Sequence, residues 1–447
     1  MLTIIKKENL DSLLQSYPEL LEYESNFLLY DNIKEQNFIL PRYFKKNYPH
    51  PNLIEFKDKD FKPQNIEIEF TGSLRPKQKE LIDIISSKYS KNNKISGIIK
   101  ASPGFGKTIC SAYITCMLKK KTLIILDNSK LVEQWRDAYL EFTNISEDDI
   151  GYIIGKEFNP KPITITMVQT LVSKIKNDVV NGYKLFKQQG YDLVFFDEMH
   201  KTSSTSIFGK ASILLNTENI IGLSATPYGD KLHKFFMKNI VGNVIADFAN
   251  YDQTPEVYFV KYDSGLFDKH GYKIFRTNEY VKRIGLYNKV IPESKSYYKV
   301  ILTLAKKIVE SNRTGIIIVF TKEQLVRTIE YLKQNGIESK ALYSKDKAID
   351  KTKDKLIVAT YKYASHGFDY AELSCLVLAT PLKGKNSLIQ TIGRILRKKD
   401  GKATPIVFDL IDGGMGTLFT DTIPYKTKII SNEFNVNNCK LINYTNI

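Results

Sequence analysis

Cysteine is scarce in this 447-residue chain: Cys110, Cys116, Cys375 and Cys439 are the only four, and no two are spaced as C-x-x-C. That spacing argues against a zinc ribbon and a disulfide framework, and it predicts free thiols in a reducing compartment inside a cell. The five histidines are scattered without metal-ligand pairing, so no structural metal is expected. Long hydrophobic runs are also missing. Nowhere do about 18 apolar residues follow one another, and the opening Met1-Leu-Thr-Ile-Ile-Lys-Lys7 lacks the apolar core of a signal peptide. A soluble chain with no membrane partner is expected. No repeat of about 20–50 residues is visible, and tryptophan occurs once, at Trp135.

Positive charge, by contrast, is in excess. The 65 Lys and Arg against 49 Asp and Glu give a net charge of +16 and a pI near 9.2, a balance suited to a polyanion such as nucleic acid. A composition rich in Lys, Asn and Ile would give the same balance for genomic reasons, so charge alone names no partner. The 43% hydrophobic content suffices for buried cores, and the length suggests about three domains.

The stretch around which the chain is organised is Ala101-Ser-Pro-Gly-Phe-Gly-Lys-Thr108. It follows the apolar run Ile95 to Ile99 and precedes an apolar segment from Ile109, the order strand, glycine-rich turn, helix. In that order backbone N–H groups and a helix N-terminus converge on one point and attract an anion. Gly104 and Gly106 permit the turn around Phe105. Lys107 offers a compact positive charge to β- and γ-phosphates, and Thr108 offers a hydroxyl to Mg²⁺. The first glycine of the general phosphate-loop pattern is replaced by the small Ala101.

From about 95 to 250 strands and helices alternate. Strands are predicted at Thr122 to Leu126, Ile163 to Met167, Leu193 to Phe196 and Ile220 to Leu223. Leu131, Val132, Trp135, Tyr139 and Phe142 share one face of a helix, which makes Trp135 a core residue first and a base-stacking residue second. Leu193 to Phe196 runs directly into Asp197-Glu-Met-His200. Carboxylates at the C-terminal end of a buried parallel strand line the ligand crevice, where Asp197 would hold Mg²⁺ and Glu198 would act as general base. Ser224, Ala225 and Thr226 end the next strand and would couple phosphate state to the neighbouring domain.

A second alternating block follows, with strands expected near 315–320, 338–343, 355–359, 373–379 and 405–410. It has no phosphate loop. Gln390, Arg394 and Arg397 fall at i, i+4 and i+7 on one helical face, opposite Leu388, Ile392 and Ile395. Two guanidinium forks on one face match a shared anionic target, as arginine fingers do.

These motifs, in this order over roughly residues 72–411, resemble those of superfamily 2 helicases and translocases. Leu74-Arg-Pro-Lys-Gln78, Leu131-Val-Glu-Gln-Trp135 and Gly367-Phe-Asp369 are similar to the group containing XPB, phage UvsW and the poxvirus transcript-release helicases. Tyr228-Gly-Asp230 departs from the Arg-Glu-Asp of XPB proteins. The resemblance implies an α/β fold with two tandem RecA-like domains. It also implies an accessory domain at 1–70, a first RecA-like domain at 71–250, a connector at 251–295, a second RecA-like domain at 296–425 and a tail at 426–447. It implies hydrolysis of ATP with Mg²⁺, coupled to movement along nucleic acid, most simply DNA. An RNA helicase, a non-catalytic clamp and a motor subunit serving a partner such as a restriction nuclease are the alternatives. By the same resemblance Arg75 and Gln78 would read adenine, and Gly367 and Asp369 would approach the ribose and γ-phosphate. Ser129, Gln169, Thr170, Thr321 and Thr360 would lie along the strand. A viral or phage origin would fit, with the cytoplasm, a viral factory or the nucleus as the compartment.

Overall fold

A computed structural model describes residues 2–23, 31–32, 37–40, 43–56, 61–176, 186, 188–199, 217–228, 231–249, 251, 253–266, 280–343, 354–364, 370–382, 384–397, 399 and 401–446. The chain forms two compact units, residues 1–249 and 250–447.

The first unit opens with β1 (Leu2–Lys6), β2 (Asp31–Asn32), β3 (Asn37–Leu40) and β4 (Ile54–Phe56), an antiparallel sheet in the order β2-β3-β1-β4. Ile5, Leu13, Leu20, Leu40, Phe44 and Leu53 from this region share one core with Ile98, Leu123, Val194 and Ile220. Asn47 Nδ2 donates to Asn239 Oδ1 at 2.9 Å, and Phe44 lies edge-on to Phe235 with centroids 6.4 Å apart. The N-terminal region, expected as a separate accessory domain, is thus an added layer on one face of the unit.

The body of the unit is an eight-stranded sheet. It comprises β5 (Ser96–Ala101), β6 (Thr122–Leu126), β7 (Ile150–Ile154), β8 (Glu157–Asn159), β9 (Ile163–Met167), β10 (Leu193–Phe196), β11 (Ile220–Ser224) and β12 (Val244–Phe248) in the order β12-β5-β11-β10-β6-β9-β7-β8. All neighbours run parallel except the β7/β8 hairpin. β6, β9, β10 and β11 are buried along their whole lengths, as continuous apolar runs in parallel sheets must be. The order matters for function because β5 and β10 both flank β11. The C-terminal ends of these three strands, which lead into the phosphate loop, Asp197 and Ser224–Thr226, therefore open on one crevice.

The second unit has a seven-stranded parallel sheet. Its strands are β13 (Glu256–Tyr262), β14 (Thr314–Val319), β15 (Lys340–Leu342), β16 (Leu356–Thr360), β17 (Leu373–Leu378), β18 (Ile406–Asp412) and β19 (Cys439–Asn443), ordered β15-β16-β14-β17-β18-β13-β19. Residues 251–295, expected as a connector, instead supply β13 and the helix Tyr280–Val290. The expected tail from 426 is likewise structural. Lys426, Ile429, Ile430 and Phe434 are buried in the helix Thr422–Phe434, and β19 pairs with β13. Both segments escaped sequence reading for one reason: β13 alternates buried residues with exposed Glu256 and Lys261, and β19 is a mostly exposed edge strand.

Candidate nucleotide site and nucleic-acid track

The phosphate loop leaves β5 at Ala101 and enters the helix Lys107–Leu118 through Gly104 and Gly106, which adopt φ of +80° and +89°. Only glycine takes such angles without strain. Gly106 also has no room for a side chain, because a Cβ there would collide with the Gln78 amide. Lys107 Nζ donates to the Ala101 carbonyl at 3.2 Å, so the ammonium is folded back over its own loop.

Gln78 and Arg75 brace the loop from outside. Pro76 starts the helix Pro76–Asn92, and a reciprocal cap forms in which Arg75 N–H donates to Gln78 Oε1 at 2.8 Å. Gln78 Nε2 then donates to the Phe105 carbonyl at 2.9 Å. Arg75 Nη2 donates to the Gly104 carbonyl at 3.1 Å and also to that of Phe105. Gln78 is 2% exposed. Expected to read adenine, Gln78 also shapes the turn of the phosphate loop.

Asp197 follows β10, and its N–H donates to the Ile125 carbonyl at 3.1 Å. Two donors fix its carboxylate: Glu198 N–H on Oδ1 at 2.9 Å and the Trp135 indole N–H on Oδ2 at 3.1 Å. Glu198 adopts a left-handed φ of +48°, a conformation that costs a non-glycine residue about 1–3 kcal/mol and collects at functional turns. Burial, and next the negative charge of Glu198, push the Asp197 carboxyl up to about 6; Lys107 and the Trp135 hydrogen bond oppose the shift. Met199 is buried, and its sulfur fills the place where a Cβ of Gly222 on β11 would stand. His200 lies outside the described residues.

Among the described residues no cluster of three or more His, Cys, Asp or Glu could cage a metal. The donor set on offer, one carboxylate and the Thr108 hydroxyl, suits an ion that keeps its waters and takes the rest of its ligands from phosphate. The next strand end is polar but closed: Ser224 Oγ accepts from Thr226 N–H at 3.0 Å, Ala225 is buried, and Thr226 Oγ1 is buried with no hydrogen-bond partner among the described residues.

The expected strand contacts of the first unit separate into two kinds. Ser129 and Gln169 are exposed just beyond the adjacent strands β6 and β9, and Gln169 Nε2 donates to the Asp127 carbonyl at 3.1 Å, joining the helix Val168–Lys176 to the loop after β6. Thr170 is 6% exposed and its hydroxyl accepts from Gly155 N–H at 3.0 Å, so it faces inward.

In the second unit, Thr321 caps the helix Lys322–Gln334 by accepting from Gln324 N–H at 3.1 Å. Thr360 ends β16 and is 7% exposed. Gly367 and Asp369 lie outside the described residues. The Gln390–Arg397 run corrects the sequence reading, because the helix Lys385–Gly393 stops before the arginines and a 3-10 turn, Arg394–Leu396, takes over. Arg397 is already extended, at φ −65° and ψ 133°. Leu388, Ile392 and Ile395 are fully buried as expected. The break is held by Lys402, whose Nζ donates to the carbonyls of Ile395 at 2.8 Å and Arg397 at 2.6 Å. Burial, then the charge of Arg397, draws the Lys402 ammonium down to about 8. Burial also lowers Arg397.

With a phosphate loop, a carboxylate pair one strand removed and a second parallel unit, the chain is similar to helicases and restriction-enzyme motor subunits, and these relatives support a nucleic-acid-dependent ATPase. Residues 71–229 match the family described as type III restriction enzyme, res subunit. A protein of Acanthamoeba polyphaga mimivirus, named as an ATP-dependent RNA helicase, is 26% identical over 424 residues, 90% of this chain and 75% of that protein. The DNA 3'-5' helicase XPB of Kineococcus radiotolerans is 32% identical over 183 residues, 41% of this chain and 31% of that protein. In fold, the chain is similar to the ATP-dependent type ISP restriction-modification enzyme LlaBIII bound to DNA, with a TM-score of 0.56 at 14% identity, over 89% of this chain and 32% of that one. No described helix is long and apolar enough to cross a membrane.

Proposed function

We propose that the chain is an ATP-dependent DNA translocase or helicase that moves along or remodels duplex or branched DNA. The observation that carries the reading is the shared crevice at the ends of β5, β10 and β11, to which the loop bearing Lys107 and the carboxylate of Asp197 both lead. Lys107 and the N–H groups of the loop bind the triphosphate. The Thr108 hydroxyl and the Asp197 carboxylate would hold Mg²⁺, which would supply positive charge against the phosphates. Glu198 orients the attacking water and takes its proton. Arg394 and Arg397 stabilise the charge of the transferring phosphoryl group, the role that guanidinium forks suit best. Ser129 and Gln169 contact the strand backbone, and Ser224 to Thr226 pass phosphate state on to that contact.

DNA is favoured over RNA by the XPB relative, a DNA 3'-5' helicase by name; the mimivirus relative, an RNA helicase by name, favours the alternative. Binding through charge predicts an affinity that falls linearly with salt on logarithmic axes. The test is steady-state ATP hydrolysis with single-stranded, duplex and forked DNA and with RNA of matched sequence. Stimulation by a DNA form several-fold above that by RNA is expected. Greater stimulation by RNA would establish the alternative.

A further inference from the structure

The one tryptophan of the chain is placed where a mere core residue has no need to be. Trp135 lies on the helix Lys130–Phe142 and is 1% exposed, packed near Tyr139 and Phe195 with ring centroids 6.4 and 6.3 Å away. Its size and burial answer to packing, which a phenylalanine or leucine could also provide. Its N–H does not. A buried indole N–H must find an acceptor, and this one is given to Asp197 Oδ2, 62 residues away in sequence, at 3.1 Å.

The acceptor is the carboxylate assigned above to Mg²⁺. With Oδ1 taking the Glu198 N–H, the carboxylate has one fixed plane, and its remaining lone pairs are aimed rather than free to rotate. Partners that fix a metal-binding carboxylate in this way typically set metal affinity within a factor of about 10–100. A second consequence follows from the helix. The same helix begins next to exposed Ser129, so the group that aims Asp197 is carried by an element whose free end lies on the proposed nucleic-acid track.

We propose that Trp135 is a positioning residue for nucleotide hydrolysis, acting through its indole N–H to fix the Asp197 carboxylate for Mg²⁺. This rests on the reading of Asp197 as the metal carboxylate. The experiment uses the full chain, whose single tryptophan makes the fluorescence of Trp135 readable without mutation. ADP is titrated with and without Mg²⁺ while indole emission is followed, and the expected result is an emission change that requires Mg²⁺ and ADP together. In Trp135→Phe, binding of a fluorescent ADP analogue should need about ten-fold more Mg²⁺, with binding in EDTA unchanged. Trp135→His, which can restore a ring N–H donor, should recover part of the loss. Asp197→Asn separates the two claims. If it leaves the Mg²⁺ dependence of binding intact, the assignment of Asp197 fails. If it abolishes that dependence while Trp135→Phe has the wild-type Mg²⁺ requirement, or while indole emission ignores Mg²⁺, the role given to Trp135 is overturned.

Discussion

At the scale of single residues the site is assembled against the stability of the protein. Burial, and next the charge of Glu198, raise the folded-state pKa of Asp197 to about 6 from its ordinary value of 3.8, so folding favours its protonated form. The cost of ionising it is absent below about pH 4 and fully present above about pH 6, and a shift of this kind corresponds to about 1–3 kcal/mol. Asp197→Asn is therefore expected to raise the melting temperature of the nucleotide-free protein at pH 8, with a smaller gain at pH 5, while abolishing hydrolysis. Thermal melts at the two pH values check this, and a variant less stable than wild type at pH 8 would refute it. Lys107, Thr108, Asp197 and Glu198 stand out in the sequence because the chemistry expected of them is tied to short spacings at strand ends. The partnership of Trp135 with Asp197 does not, because a contact across 62 positions leaves no local pattern. Gln78 was legible as a site residue, but its partner, the Phe105 carbonyl, became visible only in the fold.

At the scale of elements, strands buried on both faces announce themselves as unbroken apolar runs, and β6, β9 and β10 have the boundaries that the sequence predicted. Edge and hairpin strands such as β8, β12 and β19 do not, since solvent on one side relaxes the demand for apolar residues. The break after Gly393 was hidden for a different reason. Residues 388–397 keep a helical hydrophobic period, while the turn is tightened by Lys402 from farther along the chain. The 3-10 turn ends at Leu396 and Arg397 is extended, so the i, i+4, i+7 face of a continuous helix does not hold for Gln390, Arg394 and Arg397. Farther along, Lys426 and Asp409 form an ion pair at 2.6 Å, each about 1% exposed, tying the helix Thr422–Phe434 to β18. Lys426→Ala would strand a buried carboxylate and is expected to cost about 3–5 kcal/mol, read as a shift in the urea midpoint. A shift no larger than that of a surface lysine would contradict the pairing.

At the scale of the whole molecule, the two α/β units and their parallel sheets follow from alternating patterns that the sequence displays. The N-terminal layer was misjudged because its own short elements look self-contained. Its apolar residues join the core that includes Ile98, Leu123 and Val194. Deleting residues 2–56 should therefore bare one face of the first unit and leave the protein aggregated in a sedimentation assay; a soluble, monomeric truncation would mean that the layer is separable. The excess positive charge, +16 over the whole chain, belongs to this scale too, since long-range attraction to a polyanion depends on summed charge and not on any one contact. The central claim is that phosphate cupped by the loop around Lys107 is hydrolysed in response to nucleic acid. Its most direct test is the rate of ATP hydrolysis with and without DNA for the wild type and for Lys107→Ala. DNA-stimulated turnover is expected in the wild type and its loss in the variant, with DNA binding retained, whereas stimulated turnover persisting in Lys107→Ala would contradict this role of the loop.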